Sequence, residues 1–124
     1  MAALSYCTVG SNRLEEAKAF YDALLGSIGM KSVFEHASGG RIYGQNGKLS
    51  FGLLGPFNGQ PATAGNGSMF GFGFEKREEV DAFYAKALEL GGTDEGAPGE
   101  RGPKFYFSYF RDLDGNKLSA FCIG

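Results

Sequence analysis

The chain has no tryptophan, one histidine (His36) and only two cysteines, Cys7 and Cys122. Each scarcity removes a class of chemistry. A single imidazole leaves no Cys/His cluster for zinc or non-haem iron, and no defensible Ser/His/Asp or Cys/His arrangement for nucleophilic catalysis. The cysteines sit in apolar, strand-like segments near opposite ends, which reads as buried thiols of a reducing compartment rather than a disulfide framework. An excess of one charge is also lacking. With 12 basic and 14 acidic residues and a net charge of −2, no basic stripe is available for a phosphate backbone, and no nucleic-acid partner is expected. No apolar run approaches about 18 residues, and no charged segment followed by a long apolar run opens the chain. The expectation is therefore a cytoplasmic protein with no membrane partner.

What is abundant is glycine and aromatic carbon: 21 glycines, 12 phenylalanines and 6 tyrosines in 124 residues. That mixture suggests many turns and aromatic-filled strands. A chain of 13.2 kDa is one domain, long enough to bury about two-thirds of its unfolded surface.

The sequence repeats itself. Residues 12–25 space Leu14, Ala17, Phe20, Tyr21, Leu24 and Leu25 along one stripe of an amphipathic helix. Asn12 with Glu15 suggests a capping box at its start. Residues 77–88 have the same design through Val80, Phe83, Tyr84, Ala87 and Leu88. Glu15, Glu16, Ala19, Phe20, Tyr21, Leu25 and Gly29 recur as Glu78, Glu79, Ala82, Phe83, Tyr84, Leu88 and Gly92, at a constant offset of 63. An offset near half the chain length argues for two copies of one supersecondary unit. The ends match too: Lys48-Leu-Ser50 with Gly55 corresponds to Lys117-Leu-Ser119 with Gly124.

Each half then reads as strand, helix and three further strands. The first places strands at 4–10, 31–36, 41–44 and 49–54 around a helix at 12–26. The second places strands at 68–74, weakly at 92–95, and at 105–111 and 117–123 around a helix at 77–90. Module one spans about 1–55 and module two about 68–124, joined by a Gly/Pro-rich linker at 56–67. Asp114-Gly115, between two aromatic runs, is a strong hairpin signal because glycine tolerates positive φ.

A duplicated βαβββ unit with Ala-Phe-Tyr in each helix and Arg111-Asp-Leu-Asp-Gly-Asn-Lys-Leu118 at the final hairpin resembles the vicinal oxygen chelate superfamily. That superfamily contains glyoxalase I, extradiol dioxygenases, fosfomycin-resistance transferases and bleomycin-resistance proteins. The resemblance implies an α+β fold of tandem βαβββ modules, two curved half-barrel sheets around a cleft with the helices outside, and a homodimer. It also implies metal ligands at four pseudo-symmetric cleft positions. In this chain those positions fall on Tyr6, Ser50, Met69 and Ser119. None is a competent ligand for a hard divalent cation, so no metal and no other cofactor is expected.

Tyr109 matches a cleft-lining tyrosine that contacts substrate in fosfomycin-resistance enzymes, and strand alternation puts Phe105 and Phe107 on its face. Core filling is the alternative for all three. Arg101 and Lys104 lie in the Gly/Pro loop 96–104, placed to act as a lid whose cations could meet an anionic ligand; solvated charge is the alternative. Lys117 reads as a shield for a strand end, and Gly71-Phe-Gly73 as close backbone approach. The expected ligand site is thus Tyr6, Ser50, Met69, Phe105, Phe107, Tyr109, Ser119 and Arg101. The expected function is metal-free binding of a small, partly aromatic or apolar organic ligand. The alternative is a lyase or dioxygenase-type enzyme with a displaced metal site, or with Tyr109 or Tyr6 as proton donor.

Overall fold

The computed structural model describes all residues, Met1–Gly124. The chain divides into two compact units, Met1–Thr63 and Ala64–Gly124. Unit one runs β1 (Cys7–Gly10), α1 (Leu14–Gly26), β2 (Lys31–Glu35), β3 (Arg41–Gln45) and β4 (Lys48–Leu54). Unit two runs β5 (Phe70–Gly73), α2 (Arg77–Glu89), β6 (Thr93–Glu100), β7 (Phe105–Arg111) and β8 (Lys117–Ile123). Each unit is a four-stranded mixed sheet, of order β1-β4-β3-β2 or β5-β8-β7-β6. In both, the first strand pairs in parallel with the last and the other neighbours are antiparallel. The architecture is α+β, the repeat is a repeat of topology, and neither sheet closes into a barrel.

Helix α1 forms because its apolar residues recur at helical spacing, and Ala17, Phe20, Tyr21, Leu24 and Leu25 are buried against the sheet. The Tyr21 ring is the hub of this core, with centroids 5.0 Å from Phe51 and 5.1 Å from Phe20. A hydrogen-bond network ties the helix to the strands at its edge. Tyr43 donates to Asp22 at 2.7 Å, and Arg41 reaches both Asp22 and Glu35 at 2.6 Å. Burial first, then the Asp22 carboxylate, pushes the Tyr43 hydroxyl well above the ordinary tyrosine range. In unit two, α2 buries Val80, Phe83 and Ala87. The Phe83 ring meets Phe72 at 5.2 Å, Phe74 at 5.3 Å and Phe110 at 5.9 Å.

Several boundaries differ from the sequence reading. Helix α1 begins at Leu14, so Asn12 is not its cap. The Asn12 side chain instead holds the loop after β4, donating to Ala62 O at 2.8 Å and accepting from Ala62 N at 2.6 Å. The capping geometry appears at α2, where the Glu79 carboxylate accepts from Lys76 N at 3.1 Å. The segment expected as a loop from residue 96 is strand through Glu100, pairing Gly96 with Tyr109 and Gly99 with Phe107 across two register shifts. Glycine makes that possible, since Gly96 holds φ +154 where L side chains are strained.

The final turn is organised by Asp112 rather than by Asp114-Gly115 alone. The buried Asp112 carboxylate accepts from Asp114 N, Asn116 N and Asn116 Nδ2, each at 2.9 Å, while Gly115 supplies φ +89. Both cysteines are free, and Cys122 is buried with Sγ 3.3 Å from Glu75 O. No helix is long and apolar enough to cross a membrane.

Candidate functional site

Strand alternation gives each sheet two faces, one under the helix and one away from it. In unit two the helix face takes Tyr106, Ser108 and Phe110 of β7 with Leu118, Ala120 and Cys122 of β8. Tyr106 donates to Asp81 of α2 at 2.6 Å, which fixes the assignment. The opposite face takes Phe105, Phe107 and Tyr109 of β7 with Lys117, Ser119 and Phe121 of β8. It is on this second face that the expected site residues gather.

Their rings form a row. Phe121 and Phe107 are cross-strand partners with centroids 5.0 Å apart and planes 13° from parallel. Phe107 and Tyr109 follow at 6.1 Å and 22°, and Phe105 lies 6.4 Å from Phe107. Phe105 is 45% exposed, and Phe107, Tyr109 and Phe121 are half-buried. These rings therefore present aromatic surface outside the core that Phe83 fills. The two strand glycines serve this row. A Cβ at Gly71 would lie 3.2 Å from Phe121 Cε1, and one at Gly73 would lie 3.1 Å from Phe121 Cζ. The close approach expected at Gly71 and Gly73 is thus the approach of β8 side chains: Ser119 Oγ, which would lie 2.9 Å from a Cβ at Gly71, and the Phe121 ring at both glycines.

Two cations flank the row. Arg101 Cζ lies 5.7 Å and Lys117 Nζ 5.3 Å from the Tyr109 ring centroid, within cation–π range. Lys117 was expected only to shield a strand end, and Phe121 was not expected at the site at all. Gly96 and Gly99 complete the arrangement: added Cβ atoms there would crowd Arg101 Nη2 at 3.3 Å and Nη1 at 3.0 Å. The clue available in the sequence was parity, because Phe121 and Lys117 stand two residues either side of Ser119. On the helix face, Asp94 accepts from Tyr84 of α2 at 2.7 Å and from Gly96 N at 2.8 Å, which holds its carboxyl below the usual range.

The remaining expected residues are less closely joined. Ser119 is 1% exposed and pairs with Gly71, not Met69. Met69 precedes the first β5 pair, Phe70 with Leu118, and is 44% exposed. In unit one, Tyr6 precedes the pair Cys7 with Phe51 and is 54% exposed, with Ser50 exposed on the neighbouring strand. These registers correct the expected equivalence of the two serines. Thr8 pairs with Gly52 in unit one, and its equivalent at the 63-residue offset, Gly71, pairs with Ser119. Ser119 therefore corresponds to Gly52, and Ser50 corresponds to Lys117. The β1–β4 pairing is shifted by two residues relative to β5–β8, which residue matching alone conceals.

His36 is half-buried and organises a turn. Its Nδ1 accepts from Ser38 N at 3.1 Å and lies 2.9 Å from Ser38 Oγ, which itself accepts from Gly55 N at 2.9 Å. A divalent cation asks for imidazole or carboxylate ligands in preorganised number. Tyr6, Ser50, Met69 and Ser119 supply neither, and no group of three His, Cys, Asp or Glu residues comes together. The residues present do not fit such an ion.

The model of the Glyoxalase/Bleomycin resistance protein/Dioxygenase superfamily matches residues 3–119. Among solved structures, a glyoxalase/bleomycin resistance protein from Albidiferax ferrireducens T118 is 45% identical, with TM-score 0.86, covering 97% of this chain and 98% of that one. A lactoylglutathione lyase from Agrobacterium tumefaciens shares the fold at 20% identity, TM-score 0.71, covering 98% and 93%. A genomically encoded fosfomycin resistance protein from Listeria monocytogenes does so at 16% identity, TM-score 0.74, covering 100% and 95%. No curated protein matches the chain.

Proposed function

Since the chain belongs to the glyoxalase/bleomycin resistance protein/dioxygenase superfamily, we propose that it binds a small, flat, partly aromatic organic molecule without the aid of a divalent ion. The observation that carries this reading is the half-buried row Phe121–Phe107–Tyr109, with ring centroids 5.0 and 6.1 Å apart. Aromatic rings in a core normally bury their faces against other elements, as Phe83 and Phe110 do. This row keeps ring surface available on the face away from the helix, supported by glycines where larger residues would displace it. A planar ligand extends the stack as one more ring, gaining apolar burial and offset-stacking attraction together.

The donor set supports metal independence: hydroxyls and a thioether stand where imidazole and carboxylate would be needed. The binding function is tested with the purified, unchelated chain in two measurements. Elemental analysis should find no stoichiometric divalent ion, and titration with 2-naphthamide, a neutral planar probe, should show saturable binding. A stoichiometric metal whose removal abolishes binding would refute the metal-free reading. Absence of any binding by planar aromatic probes would refute the role given to the row.

A further inference from the structure

The cations beside Tyr109 are placed by two different segments, and neither is neutralised. Arg101 comes from the turn after β6, and Lys117 is the first residue of β8. The ion pairs of unit two join Arg77 to Glu100, Lys86 to Glu89 and Arg111 to Glu95. Arg101 has no carboxylate partner; its Nη2 donates to Ala97 O at 2.8 Å, which steadies the guanidinium while its other N–H groups stay available. Lys117 likewise makes no ion pair, and its ammonium lies 5.3 Å from the same ring. Two like charges at one ring make the surface around Tyr109 positive, and an anion docking there is attracted by both. β6 makes room for this arrangement at Gly96 and Gly99, where any Cβ would press on the guanidinium.

We infer that the ligand of the aromatic row is a planar aromatic acid, its ring extending the Phe121–Phe107–Tyr109 stack and its anionic group drawn to the positive charge that Arg101 and Lys117 bring to Tyr109. This rests on the reading that the row binds a ligand, and it adds the charge. Arg101 offers a fork of N–H donors matched to a carboxylate, and Lys117, reaching the same Tyr109 ring from β8, a second positive charge. The apolar row selects the flat body, and the cations select the acid.

The test uses the full chain and two probes that share one ring system, 2-naphthoate and neutral 2-naphthamide, titrated at low and at high salt. The expected result is about tenfold tighter binding of 2-naphthoate at low salt, with the gap narrowing as salt rises. Arg101→Gln and Lys117→Gln should each weaken 2-naphthoate about threefold or more and leave 2-naphthamide within about twofold. Far-UV circular dichroism checks that both surface variants remain folded. Equal affinity for the two probes, or weakening of both alike in the Gln variants, overturns the acid assignment and leaves the aromatic row standing. Failure of both probes to bind overturns the row itself. The same failure accompanied by concentration-dependent self-association would identify the row as an interface between copies, overturning both readings.

Discussion

Truncating Phe121 separates packing from recognition. The ring is half-buried, so Phe121→Ala forfeits about half of the 1.5–3 kcal/mol that full burial of such a side chain is worth. It also loses the stack on Phe107, 5.0 Å away and 13° from parallel, worth about 0.5–1.5 kcal/mol more. The expected stability loss is therefore about 1–3 kcal/mol, or roughly 3–5 °C of Tm per kcal/mol for a chain of this size. Affinity for 2-naphthamide should fall by about 5- to 30-fold, since one stacking partner is worth about 1–2 kcal/mol to a planar ligand. Phe110→Leu is the control. Phe110 is 0% exposed on the helix face of the same strand, so its variant should lose about 1–3 kcal/mol of stability and bind the probe unchanged. Calorimetric melting gives the first quantity and isothermal titration the second. If Phe121→Ala binds 2-naphthamide within twofold of the parent while melting lower, the row is packing alone and the functional reasoning fails.

Other expectations follow from single contacts. Gly96→Ala should cost about 1–3 kcal/mol in urea unfolding, because φ +154 strains any L side chain and its Cβ would lie 3.1 Å from Tyr109 Cδ2. Equal midpoints for parent and variant would count against the strained backbone. Tyr43 contributes stability that is fully present below the ordinary tyrosine pKa of about 10 and lost as pH rises through its raised folded value. Alkaline unfolding should therefore be less steep in Tyr43→Phe, which loses about 0.5–1.5 kcal/mol at neutral pH; parallel pH profiles would reject this. Asp112→Ala removes the acceptor shared by three donors of the final turn and should cost about 2–4 kcal/mol. Faster amide exchange along β7 and β8 would register it, and unchanged protection would contradict it.

Much of the fold was legible because helical and strand periodicities survive in both halves: Phe20 and Phe83 mark the core stripe, and Asp-Gly marks the last hairpin. Less was legible where long-range geometry decides. The two Lys-Leu-Ser segments look equivalent, yet sheet register pairs Ser119 with Gly71 and sets Ser50 against a different position. The 96–100 segment has loop composition, but pairing to β7 extends it because glycine accepts the bulged backbone. Asn12 was read locally as a cap, while a loop fifty residues away in sequence takes its amide. At the site, Phe107 and Tyr109 were found through alternation along one strand. Phe121 and Lys117 required knowing which strand lies beside it, which no single run of residues declares.

The displaced pairing of the two halves has a consequence for how such a chain tolerates insertions and deletions. Side chains along a strand alternate with a period of two, so the two-residue shift between β1–β4 and β5–β8 left every residue on its own side of the sheet. A slip of one would not be silent. It would bring Leu118, Ala120 and Cys122 outward and drive Lys117, Ser119 and Phe121 beneath the helix. The hairpin between Arg111 and Lys117 therefore acts as a parity filter: drift by even steps can vary what the outer surface recognises, whereas odd steps exchange that surface for the core.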